Sequence, residues 1–122
     1  MRAFKHPPIE EVSVEHLLHA LSDPVRLGIV RQLAGAHEAS CSALDGGRPK
    51  SSMSHHFRVL REAGLVTVRV AAQRRCYALR PEPLAEVDAW LAPYRRLWAQ
   101  RLDALDTEIA RGRRARTQED HL

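Results

Sequence analysis

Long apolar runs are missing from this 122-residue chain. Nowhere do the roughly 20 consecutive apolar side chains of a membrane helix occur. The opening MRAFKHPPIEE has no apolar segment of the kind a secretory signal needs. The two absences predict a cytoplasmic protein with no membrane partner. Cysteine is scarce: Cys41 and Cys76 are the only two, too few for a disulfide scaffold, and in that compartment they are expected as thiols. Catalytic signatures are missing too, with no Gly-rich phosphate loop, no nucleophile elbow and no zinc-protease helix. No enzyme activity, cofactor or metal site is expected.

Acidic residues are almost absent from one block. Residues 48–80 carry Arg48, Lys50, Arg58, Arg61, Arg69, Arg74, Arg75 and Arg80 against Glu62 alone, for +7. The flanks, 1–47 and 81–122, are −2 and −1. A solvated surface normally mixes both signs, so a block this one-sided points to a polyanionic partner.

What is present reads as one domain with a single modest core. Residues 1–12 form an N-terminal arm, 13–110 the domain and 111–122 a flexible tail. Ser13 caps a helix VEHLLHAL. SDPVRLGIVRQLAG starts on Ser22 or Asp23, has Pro24 at its first helical position and ends near Gly35. Ser40 caps a short helix CSALDG, and GGRP is a turn. LVTVRV and RRCYAL alternate as two strands joined by AAQ. The final helix, about 84–110, repeats Val87, Leu91, Tyr94, Trp98, Leu102, Leu105 and Ile109 at spacings of three and four. Pro93 is expected to kink or split it.

The stretch KSSMSHHFRVLREAGLV carries the function. Met53, Phe57 and Leu60 fall at i, i+4 and i+7, which makes them the core side of a helix. Ser51, Ser54, His55, Arg58 and Arg61 fall opposite, a basic face whose small N-terminal residues permit close approach to bases. His55 and His56 point about 100° apart, too divergent to chelate one ion. Two short helices joined by a Gly-containing turn, then a hairpin, describe a winged helix-turn-helix. The fold class is mainly α with a β-hairpin wing, dimeric through terminal helices.

At these residues the chain resembles the ArsR (arsenic-repressor-like) family of bacterial winged-helix transcription factors. ALSDPVRLGIVRQL is similar to the family's opening signature, SMSHHFRVLREAGLV to its recognition helix, and RRCYALRP to the strand after its wing. The likeness covers about residues 14–81. WLAPYRRLWAQRLDALD resembles the dimer-forming helix of one branch. The resemblance implies a homodimeric regulator, with an effector of unknown identity, that represses by binding double-stranded DNA at an inverted repeat. It implies base and phosphate contacts from Arg48, Lys50, Ser51, Ser52, Ser54, His55, Arg58 and Arg61, with Arg69, Arg74 and Arg75 on the wing. His56 is expected to pack or hydrogen-bond inside the motif. The dimer interface would take Leu17 and Leu18 with the terminal seam.

Departures from the family pattern bear on sensing. Its thiol metal site is reduced here to the lone Cys41, and no His occurs between residues 57 and 120 to supply a site on the last helix. A short strand before the CSALDG helix would bring Cys41 towards Cys76. The pair reads either as two small buried hydrophobes or as a redox or metal sensor whose Cys41 has a lowered pKa. A further alternative is a winged-helix module whose basic face meets an acidic protein. Trp90, Tyr94 and Trp98 read as dimer core or as the wall of a small-ligand pocket.

Overall fold

In a computed structural model the described residues are 6–120. The chain forms two units, residues 1–87 and 88–122.

The first unit opens with a 3-10 turn, Ile9–Glu11, followed by α1 (Val14–Leu21) and α2 (Pro24–Ala34). Then come β1 (Ala39–Ser40), α3 (Cys41–Leu44), α4 (Lys50–Glu62), β2 (Val66–Ala71) and β3 (Arg74–Leu79). The helix starts are those their caps dictate. Ser13 accepts the His16 N–H at 3.2 Å, and Asp23 accepts those of Val25 and Arg26 at 2.8 and 3.2 Å. Ser40 accepts that of Ala43 at 3.3 Å. Gly35 is the C-cap of α2.

The sheet is antiparallel in the order β1-β3-β2. The strand expected before α3 is therefore present, with Ser40 opposite Cys76. The hairpin turn is tighter than the AAQ reading: Ala71 pairs with Arg74, leaving Ala72 and Gln73 as a two-residue turn. Both have positive φ, 48° and 69°, as a type I′ turn demands, though neither is the Gly or Asn that adopts it cheaply.

One apolar cluster joins these elements. Leu17 of α1, Ile29 and Leu33 of α2, Leu44 of α3 and Met53, Phe57 and Leu60 of α4 close over Val66, Val68 and Tyr77 of the sheet. Phe57 stacks on Tyr77 with ring centroids 4.2 Å apart, which ties the outer helix to the wing. Leu17 is fully buried in this cluster, so it is a core residue and not a surface for a partner. Its neighbour Leu18 is 38% exposed.

The arm is docked along part of its length. His6 Nε2 accepts the Val68 N–H at 3.1 Å, and Arg80 donates to the Pro7 carbonyl at 2.7 Å. Residues 1–5 of the arm lie outside the described residues. At Gly64 φ is +85°, and a Cβ there would stand 2.9 Å from Val12 Cγ2. Both the sharp exit from α4 and the closeness of the arm require glycine at this position.

The last helix, α5, spans Leu84–Asp120. It begins in the first unit, where Leu84 and Val87 pack against the core, and makes up the described part of the second. Two expectations change here. Of the two alternatives for Pro93 the split does not occur, since the helix runs on through it, and residues 111–120 are helical rather than a flexible tail. Arginine is a good helix former, so the RGRRAR run extends the helix despite having no apolar face. Residues 121 and 122 lie outside the described residues.

Candidate nucleic-acid interface

Helix α4 divides as its periodicity requires. Met53, Phe57 and Leu60 are buried, while Lys50, Ser51, Ser52, Ser54, His55 and Arg58 are all exposed. The turn into α4, from Asp45 to Pro49, is built on Gly46 and Gly47, with φ of 58° and 80°. Asp45 accepts the Gly47 N–H at 2.9 Å, and Arg48 donates to the Asp45 carbonyl at 3.3 Å. Pro49 occupies the cap position and supplies no side-chain acceptor. The first-turn N–H groups of α4 are thus left without a side-chain cap, at the positive end of the helix dipole.

The two histidines take separate roles. His55 is exposed, and its Nδ1 lies 3.3 Å from the Arg58 guanidinium on the same face. His56 is half-buried, with Nδ1 3.3 Å from Arg26 Nη1 and 3.8 Å from Asp23 Oδ1. The longer distance is outside hydrogen-bond range, so Arg26 is the partner and Nδ1 accepts. His56 therefore belongs to the interior of the motif, as expected.

Arg26 itself is a site residue that periodicity does not reveal. It is 7% exposed, and besides His56 it donates to the carbonyls of Ala20 at 2.7 Å and His19 at 3.3 Å. These are last-turn carbonyls of α1, and that of His19 also accepts from the Ser22 N–H at 3.1 Å and the Ser22 hydroxyl at 2.6 Å. The signal in the sequence is the abrupt passage from α1 to α2 through Ser22 and Asp23, which leaves a helix end needing a donor. Burial pushes the Asp23 carboxyl up, but the Arg26 and Val25 N–H bonds and the Arg26 charge outweigh it. The net shift is downward.

On the wing the three arginines differ. Arg74 and Arg75 are exposed near the tip. Arg69 makes a two-point bond to Glu38, at 2.7 and 2.5 Å. That bond holds the Glu38 carboxyl below its ordinary range despite the opposing effect of burial. Arg69 is therefore a paired residue, already held by Glu38. Arg61 is half-buried and lies behind the outer face, on the floor of a cleft between α4 and the wing.

The cysteines are free thiols with different neighbours. Cys41 lines the cleft, where burial first and the Asp45 carboxylate second push its pKa up against the pull of Arg75 and Lys50. That is opposite to the lowered value a reactive thiol needs, because the nearby carboxylate and burial outweigh the cations. Cys76 neighbours Tyr77 in a strand, so its side chain leaves the opposite face of the sheet, near Glu38 and Arg69. Among the described residues no cluster of three His, Cys, Asp or Glu could hold a metal ion.

A family model described as a helix-turn-helix domain matches residues 21–69. The HTH-type transcriptional repressor SmtB of Mycobacterium tuberculosis is 32% identical over 87 residues, 69% of this chain and 64% of that protein. The match thus spans under two thirds of that relative's length. The crystal structure of the transcriptional repressor BigR from Xylella fastidiosa is 32% identical with a TM-score of 0.52, covering 66% of this chain and 85% of that one. An ArsR family transcriptional regulator of known crystal structure aligns with a TM-score of 0.64 at 26% identity, over 78% of this chain and 97% of that one. The chain belongs to the ArsR family. Helix α4 is the second helix of the helix-turn-helix and β2–β3 the hairpin wing. Among the described residues no helix is long and apolar enough to cross a membrane.

Proposed function

We propose that this protein is a cytoplasmic transcriptional repressor, not an enzyme, that binds double-stranded DNA as a homodimer at an inverted repeat. One observation carries the reading: the polar and basic side of α4 is exposed from Lys50 to Arg58 while its apolar side is buried. Lys50, Ser51, Ser54 and His55 would meet base edges in the major groove, with Ser52, Arg48 and Arg58 on the backbone. Arg74 and Arg75 would hold phosphates beside the groove and supply salt-dependent affinity. The names of the relatives, both repressors, support the same direction.

The dimer rests on the second unit. Trp90, Tyr94, Leu97, Trp98, Leu102, Leu105 and Ile109 are each 42% exposed or more. Such an apolar seam is costly in water, and a second copy of the same helix would cover it. Leu91, half-buried, lies on the same seam. Two recognition helices about 34 Å apart would then read half-sites one turn apart.

Selection of the purified protein against fragmented genomic DNA, at near-physiological salt with reductant, tests this. An enriched inverted repeat is the expected result. Uniform, weak, salt-sensitive retention would overturn the reading and favour a module whose basic face binds an acidic protein.

A further inference from the structure

Between α3, α4 and the wing tip lies a cleft of about 410 Å³, within the size range of small-molecule sites. Its walls come from elements distant in sequence. Lys50, Arg58 and Arg61 stand on α4, and Arg74 and Arg75 on the hairpin. The hydroxyls of Ser40 and Ser54 also line it, and the buried Phe57 and Tyr77 form its floor.

Five cations share this cleft with one carboxylate, Asp45, which is already engaged by the Gly47 N–H. Outside the cleft, Arg69 pairs with Glu38 and Arg95 with Asp88. Among the described residues Lys50, Arg58 and Arg74 form no ion pair with a carboxylate. The concave shape adds to the effect of the charge, because low-dielectric walls focus the field of like charges into a cleft.

We propose that this cleft is a binding site for a small phosphorylated molecule, and that its occupation excludes DNA. The mechanism follows from shared residues. Lys50, Ser54, Arg58, Arg74 and Arg75 line the cleft and are also assigned to DNA under the proposed function, on which the competition rests. A phosphate held there pairs with Lys50, Arg58 and Arg74 and places negative charge where the DNA backbone must come. Ligand binding and DNA binding then oppose each other by linkage.

Calorimetric titration of the DNA-free protein at fixed ionic strength tests the site, with inorganic pyrophosphate and ribose 5-phosphate as probes and sulfate as the control. At least one probe is expected to bind once per chain, tenfold or more tighter than sulfate. Preference for pyrophosphate identifies an inorganic source; preference for the sugar phosphate identifies a metabolite. R61Q on the floor and R74Q at the exposed rim should each weaken binding at least fivefold, and R74Q keeps the test valid if the floor variant is unfolded. Affinities equal to sulfate, or unchanged in the folded variants, overturn the site. Binding without displacement of selected DNA overturns the competition. Failure to bind DNA at all would sink the proposed function while leaving the titration result intact.

Discussion

The guanidinium of Arg26 lies 3.3 Å from Nδ1 of His56, joining the start of α2 to the middle of α4. The same guanidinium closes the end of α1 through the Ala20 and His19 carbonyls. Three helices are thus held by one buried cation whose donors are aimed at neutral acceptors.

Arg26→Met should destabilise the protein by about 2–4 kcal/mol, since it leaves buried acceptors without their charged donor. His56→Gln, which keeps an acceptor near Arg26, should cost under about 1 kcal/mol. Urea unfolding of the two variants compares them. Equal losses would show that Arg26 does not act as the shared tie.

DNA contacts should separate by role. Lys50→Ala and Ser54→Ala should change which sequences are preferred, whereas Arg75→Ala should weaken all sequences alike. Arg69→Ala should have the smallest effect, because Glu38 already holds that guanidinium. Binding isotherms on a panel of operator variants would show it, and uniform loss from Lys50→Ala and Ser54→Ala would mean a different reading face.

The wing turn carries a conformational cost that substitution can relieve. Ala72→Asn with Gln73→Gly places the preferred residues at two positive-φ positions and should add roughly 1–2 kcal/mol of stability. Thermal unfolding reads the gain. A lower melting temperature would rule out the turn geometry described above.

Docking of the arm should depend on pH. Burial first, then the charges of Arg61 and Arg80, lower the pKa of His6 below 6.5. The folded state therefore binds this proton less readily than the unfolded chain. Its contribution is complete above about pH 6.5 and declines as pH falls through the lowered value. Protonation also removes the acceptor of the Val68 N–H. The difference in urea midpoint between the protein and its His6→Ala variant should be largest at pH 8 and shrink towards pH 5. A difference independent of pH would be inconsistent with this role.

Leu102 is 60% exposed on α5, where a charge is harmless in a monomer. In the proposed homodimer Leu102→Glu should raise the dissociation constant at least tenfold, about 1.4 kcal/mol. Sedimentation equilibrium would reveal it, and an unchanged association state would remove Leu102 from the interface.

Elements set by local chemistry were legible in the sequence. Asp23, Pro24 and Gly35 bound α2, and Met53, Phe57 and Leu60 mark the inner side of α4, because capping and periodicity act within one helix. Tertiary choices were not. Leu17 and Leu18 are adjacent apolar residues, and only packing decides that the first is core. Arg26 looks like any surface arginine until the carbonyls of α1 claim it. Arg69 looks like a phosphate contact until Glu38, 31 residues away, is folded against it. The basic face itself was readable because it is contiguous in sequence. The cleft was not, since its walls meet only when the hairpin folds beside α4.

The pairing of Ala39–Ser40 with β3 has a mechanical consequence. The strand leads without a break into α3, and its partner strand is one arm of the wing. Phe57 against Tyr77 adds a second fastening from the other side. Helix and hairpin are therefore fastened at two points, like the two sides of one jaw, so that a displacement of one is passed to the other.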